Sequence, residues 1–140
     1  MSDTVEQRPV YRNIHISQIR TYRLPLAGFV SILHRISGAL MFLLLPFIVW
    51  MFDASVSSEV SHAAFTAAFT AGLGFVPGWL VKLVALALIW AFLHHLIAGV
   101  RHVWMDVWHT VDLKSGRQSA IVTLAASLVL TLAFAYSLFF

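Results

Sequence analysis

At 140 residues the chain has room for one domain, and with 60% hydrophobic against 11% charged residues it falls far below the roughly 25% charged content of soluble proteins, so its solvent is lipid. Cysteine is absent, which excludes disulfides, thiolate zinc sites and cysteine-ligated iron–sulfur clusters within the chain and leaves seven histidines as the good transition-metal ligands. The net charge of +3 belongs to basic residues at the ends of apolar stretches, so it speaks to membrane topology and nucleic acid is not an expected partner.

The segment from Met1 to Leu26 carries Asp3, Glu6, Arg8, Arg12, Arg20 and Arg23 without an apolar core, so it does not read as a signal peptide and the first span is expected to direct its own insertion. Crossing roughly 30 Å of hydrocarbon takes about 20 mostly apolar residues. Three stretches meet that need, at about 29–52, 79–103 and 120–140, giving an all-α membrane protein of three transmembrane helices in one anchor domain over residues 1–140. The first span is polar at its start and apolar from Gly38 onward. Residues 53–78 read as a loop containing a short interfacial helix, because the apolar run Ala63 to Val76 is brief and runs into Gly72, Gly74, Pro77 and Gly78. The third span has no charge, and Ser119, Thr123, Ser127, Thr131 and Ala135 recur every four residues as a ridge suited to helix packing.

Lys and Arg accumulate in cytoplasmic loops. Arg8, Arg12, Arg20, Arg23 and Arg35 precede or open the first span, and Arg101, Lys114 and Arg117 surround the connection between the second and third. The 53–78 loop holds Asp53 and Glu59, with Lys82 as the one cation on that side. The expected orientation therefore has residues 1–27 cytoplasmic, 53–78 periplasmic and the C-terminus periplasmic.

On the second span, His95, Gly99, His102 and Asp106 share one helical stripe at offsets of 4, 7 and 11. Arg101 lies off that stripe near the membrane surface, and His95 is roughly 9 Å deeper at 1.5 Å per residue. An imidazole at such depth needs a partner, and neutral imidazole is a good axial ligand for haem iron. Gly99, one turn away, removes a side chain where a flat macrocycle would approach. Spacing alone fits a second reading equally well, in which His95 hydrogen-bonds a neighbouring helix and Gly99 permits close packing. For His94, a third of a turn away, packing is the better reading. Arg101 and Asp106 read most simply as snorkelling or paired groups at the span end, and His102 fits either class.

At the start of the first span, Ser31, His34, Arg35 and Gly38 fall on one broad face at offsets of 3, 4 and 7 from Ser31. A charged arginine costs about 2.5–3.5 kcal/mol at the centre of a membrane helix and less near its end, so Arg35 needs an anion, a carbonyl or water. Haem propionates or lipid headgroups would serve, and Ser31 with Arg35 could hydrogen-bond a quinone carbonyl. The polar ends of spans one and two lie at the same membrane side, so two polar faces meet at one depth.

Arg8-Pro9-Val10, then Ser31-Ile-Leu-His34-Arg35-Ile-Ser37-Gly38, then His95-x-x-x-Gly99-Val-Arg101-His102-x-x-x-Asp106 resembles the cytochrome b subunit family of bacterial succinate dehydrogenase, over nearly the whole chain in order, spacing and span count. The resemblance implies an inner-membrane anchor that shares one haem b with a second anchor subunit and holds a flavoprotein and an iron–sulfur subunit that send electrons from succinate to ubiquinone. It implies His95 as the axial ligand of the haem iron, with the Gly99 register selecting it over His94; His34 and Arg35 near the propionates; and Ser31 and Arg35 at the quinone. Asp106 matches an acidic position without an assigned role. No residue of the chain is expected to act on succinate. Residues Val5 to Tyr22 are a candidate docking segment for the iron–sulfur subunit. The alternatives are the anchor of a quinol:fumarate reductase, a haem-free quinone-binding anchor, and a small transporter, for which no inverted repeat or broken helix pair is visible.

Overall fold

The computed structural model describes residues 15–140, apart from the side chains of Ile19 and Arg20. Five helices follow in order: α1 (Ile16–Thr21), α2 (Leu26–Val56), α3 (Glu59–Thr70), α4 (Gly78–Trp108) and α5 (Leu113–Phe139). Arg8, Arg12 and residues 5–14 of the candidate docking segment lie outside the described part. Of the remainder, His15 to Gln18, Thr21 and Tyr22 are exposed on and beside α1.

Helices α2, α4 and α5 are each long and apolar enough to cross a membrane. At 31 residues, α2 and α4 are about 46 Å long, well beyond the roughly 30 Å of hydrocarbon, so their ends reach the headgroup layers. The expected stretches 29–52 and 79–103 lie wholly within α2 and α4, and 120–139 lies within α5.

Local chemistry explains where the helices start and stop. Pro25, at φ −65°, is the N-cap of α2, a position that asks for no backbone donor. Pro46 leaves the Phe42 carbonyl without its helical donor, a gap that membrane helices tolerate. Between α2 and α4, the short helix expected in the 53–78 loop is α3, opened by a reciprocal cap: the Ser61 N–H donates to Ser58 Oγ at 3.1 Å and the Ser58 N–H to Ser61 Oγ at 3.0 Å. The chain then reverses through Gly72 at φ +98° and Gly74 at φ +59°. A Cβ on Gly78 would stand 2.6 Å from the Thr70 carbonyl oxygen, so only glycine lets α4 begin against the end of α3. His109, in the left-handed region at φ 53°, ends α4. Three residues on, Asp112 caps α5 by accepting the Ser115 N–H at 2.9 Å.

Helix α4 packs against both α2 and α5, while α3 lies over α2 and α4. The buried apolar positions are small, with Val30, Ala98 and Ala120 at the centre and Ala91, Ala68 and Val81 elsewhere. Small side chains let the backbones approach, which is how helices gain contact energy where lipid gives no hydrophobic drive. Large apolar residues such as Phe42, Leu43, Phe92, Val122 and Leu132 point outward. The α5 ridge is inside: Thr123, Ser127 and Thr131 are buried, and their hydroxyls donate to the carbonyls of Ser119, Leu124 and Ser127 in the same helix.

Candidate functional site

The α2–α4 interface gathers a column of imidazoles. The rings of His34 and His95 stack with centroids 4.1 Å apart, and His34 also meets the tilted His102 ring at 5.3 Å. Helical periodicity requires this arrangement on α4: His95, Gly99 and His102 share a face, and that face is turned to α2. Gly99 sits under the His34 ring, whose Nε2 would be 3.8 Å from a Cβ placed there. Gly38 is tighter, because a Cβ on it would stand 2.7 Å from His95 Cε1. The half-buried His95 ring thus occupies space that glycine leaves open on α2.

One hydrogen bond fixes the state of that ring. His95 Nδ1 lies 3.0 Å from the His34 carbonyl oxygen, which can only accept, so neutral His95 carries its proton on Nδ1. The Ser37 hydroxyl donates to the same carbonyl at 2.9 Å and lies 3.4 Å from His95 Nδ1. His95 Nε2 is left with a free lone pair, no hydrogen-bond partner and no enclosure among the described residues. A histidine that donates one ring nitrogen to a backbone carbonyl and offers the other is prepared as a metal ligand.

His94 is placed differently. It is fully buried between α4 and α5, stacked on Trp90 at 5.3 Å, with Nδ1 3.4 Å from Ser127 Oγ. Its Nε2 is buried without a hydrogen-bond partner among the described residues. Enclosed inside the bundle, it has no route to a group outside the chain.

The broad polar face expected on α2 is divided by the structure. Val30 and Ser37 are fully buried towards the bundle and His34 is half-buried beside them, whereas Arg35 is exposed on the outer flank and Ser31 stands half-buried at its edge. Adjacent helical residues diverge by about 100°, so His34 and Arg35 cannot both face α4. Arg35 therefore looks away from the imidazole column, towards whatever covers the outside of the chain. Asp106, on the stripe but a turn past His102, is exposed.

Of the two sequence readings of Arg101, snorkelling or paired, the structure removes the first. Far from snorkelling at the surface, it is 7% exposed, with Nε donating to Ser119 Oγ at 2.9 Å and Nη2 to the Gly116 carbonyl at 3.3 Å. Helix α5, read in sequence only as a packing ridge, thus supplies polar partners to both Arg101 and His94. Ser37 is the residue that sequence reasoning left without a role. Its signal was a small polar side chain three residues after His34 and seven after Val30, on the inward face.

Comparison with known proteins agrees with this architecture. Residues 4–134 match the family described as succinate dehydrogenase/fumarate reductase transmembrane subunit. The chain is 31% identical to the succinate dehydrogenase cytochrome b556 subunit of Paracoccus denitrificans over 112 residues, covering 80% of this chain and 81% of that one. It is 30% identical to the cytochrome b556 subunit of Coxiella burnetii over 123 residues, 88% of this chain and 90% of the relative. The succinate dehydrogenase cytochrome b560 subunit of Reclinomonas americana is 28% identical over 117 residues, 84% and 76% of the two chains. With three membrane-length helices and these similarities, the chain belongs to the succinate dehydrogenase/fumarate reductase transmembrane subunit family, as a multi-pass inner-membrane anchor of the cytochrome b type.

Proposed function

We propose that the chain is the haem b- and quinone-binding anchor of a succinate dehydrogenase, with its N-terminus cytoplasmic and its C-terminus periplasmic. It holds a flavoprotein and an iron–sulfur subunit on the cytoplasmic face and shares its haem with a second membrane-anchor subunit. The observation that carries this reading is the His95 ring, whose Nδ1–H is committed to the His34 carbonyl while Nε2 is free. That donor set fits an iron ligand, and the cytochrome b556 names of the relatives support haem b as the group concerned. Gly99, one turn from His95, lies under the His34 ring, and the exposed Arg35 guanidinium suits the propionates, with His34 next to it in sequence.

When bound, haem b supplies a one-electron store close to the quinone. The flavoprotein oxidises succinate, and two electrons pass through the iron–sulfur subunit to ubiquinone, which takes up two protons and leaves as ubiquinol. Arg35 and Ser31 hold a quinone carbonyl by hydrogen bonds and stabilise negative charge as it develops on that oxygen. The exposure of Arg35 on the flank of α2 supports a pocket that neighbouring subunits complete.

The test is a dithionite-reduced minus oxidised absorption spectrum of the complex purified from membranes, with its subunits identified. Sharp b-type bands together with a flavoprotein and an iron–sulfur protein are expected. A complex with those subunits and no haem would make the chain a haem-free quinone anchor, and their absence would remove the assignment altogether.

A further inference from the structure

Arg101 is a cation in a poor place. It is only 7% exposed within the bundle, and its polar contacts among the described residues are the neutral Ser119 hydroxyl and Gly116 carbonyl. Neither carries a negative charge, and no described carboxylate lies within ion-pair reach of the guanidinium. A buried arginine without an anion is costly, so a counter-ion is the expected complement.

The structure holds a space for one. A cavity of about 520 Å³ opens where the start of α2, the end of α4 and the start of α5 converge, and Arg101 forms part of its wall. Arg101 Nε and Nη2 are occupied, but among the described residues Nη1 has no hydrogen-bond partner and is not enclosed, which leaves it for the cavity. Arg117 lines the same space from α5. The Asp112 carboxylate also borders it and keeps its charge while capping α5 through the Ser115 N–H, but among the described residues it makes no ion pair with either arginine. Leu24, Leu26, Met105 and Leu113 make the rest of the wall mainly apolar. The column of His34, His95 and His102 faces α2 on another side of α4, so this cavity is separate from the proposed haem and quinone site.

We propose that this cavity binds the phosphate of an anionic phospholipid, with Arg101 as its inner ligand, Arg117 as its outer one and the apolar wall against the glycerol and upper acyl chain. Phosphate takes charge-assisted hydrogen bonds from guanidinium groups, and the mixture of two arginines with apolar lining at the end of membrane helices suits an amphiphile better than a free ion.

The test uses the whole purified complex, stripped of lipid by detergent exchange, with native mass spectrometry to count retained phosphatidylglycerol. Arg101→Gln removes the charge, and Gly116→Leu fills the cavity while leaving Arg101 in place. A Cβ at Gly116 meets nothing within 4 Å, so the second variant starts from open space and tests the cavity without removing the charge. Both are expected to weaken one phosphatidylglycerol site by roughly tenfold or more, Arg101→Gln through a lost charged hydrogen bond and Gly116→Leu through the space it fills. Inorganic phosphate at millimolar concentration is expected not to displace the lipid. Equal lipid retention in wild type and Gly116→Leu overturns the proposal. Displacement by inorganic phosphate shows a free-anion site instead and overturns the lipid assignment. Release of a partner subunit from Arg101→Gln with the lipid count unchanged gives the counter-ion to a protein carboxylate, which also overturns it.

Discussion

The His95 imidazole reaches across from α4 to donate its Nδ1–H to the main-chain carbonyl of His34 on α2, while the two rings stack at 4.1 Å. One helix thereby sets both the tautomer and the tilt of a side chain on the other. His94, the next residue, points into the α4–α5 seam and is fully buried. The two neighbours have opposite prospects as ligands, and the proposed haem site follows from that contrast.

Replacing His95 with Ala is expected to abolish or strongly reduce haem in the purified complex, whereas His94→Ala should retain it at some loss of thermal stability. Haem per flavin, read from the reduced minus oxidised spectrum, decides between them. Haem lost from the His94 variant and kept in the His95 variant would contradict the geometry of both rings.

Gly38 offers a steric test on the opposite helix. A Cβ there would stand 2.7 Å from His95 Cε1, so Gly38→Ala should push the ring aside and lower haem content several-fold. Gly99→Ala meets only His34 Nε2, at 3.8 Å, an ordinary contact within this chain. Haem loss in Gly99→Ala with the subunits still assembled is therefore expected only from a group lying outside the chain, and a normal spectrum would reduce Gly99 to packing.

Arg35 is exposed, so its removal should leave the bundle intact. Arg35→Ala is expected to slow succinate-dependent ubiquinone reduction by roughly tenfold or more, in line with the loss of a charged hydrogen bond, while electron transfer from succinate to a soluble acceptor stays near normal. Equal losses in both assays would point to failed assembly.

At the start of α5, hydrogen bonds from Ser115, first its side chain and then its backbone N–H, hold the Asp112 carboxyl below its usual pKa. A carboxylate with a depressed folded pKa stabilises the fold above its unfolded value, near 3.9, and loses that contribution as pH falls through the folded value. Hydrogen-exchange protection of the Ser115 amide is accordingly expected to persist from neutral pH to about 5 and to fall once the pH drops below about 4. Asp112→Asn, which caps comparably without ionising, should remove the pH dependence and keep the protection. Identical profiles for the two proteins would mean that the charge of Asp112 plays no part.

Sequence showed the three spans and one stripe well, because run length and the 3.6-residue period are properties of single helices. His95, Gly99 and His102 were placed together correctly, and the structure sets His34 against them. What periodicity lacks is the direction in which neighbours lie. It gives the angle between His34 and Arg35 but not which of them faces α4, and the structure turns Arg35 outward. The same gap hid Arg101, which points to α5 and finds the Ser119 hydroxyl there. Ser37 was overlooked because a serine beside glycine in a membrane helix reads as packing until a neighbour's ring is placed 3.4 Å away.

The hydroxyls of Thr123, Ser127 and Thr131 donate to carbonyls of their own helix. Their hydroxyl donors are therefore satisfied within α5 itself, so the last helix can enter lipid as a self-sufficient rod while its oxygens can still accept. His94 and Arg101 have no such internal recourse and draw on α5 for their partners. The four-residue connection 109–112 ties the two helices as a hairpin, so the helix that needs assistance is tethered to the one that can give it.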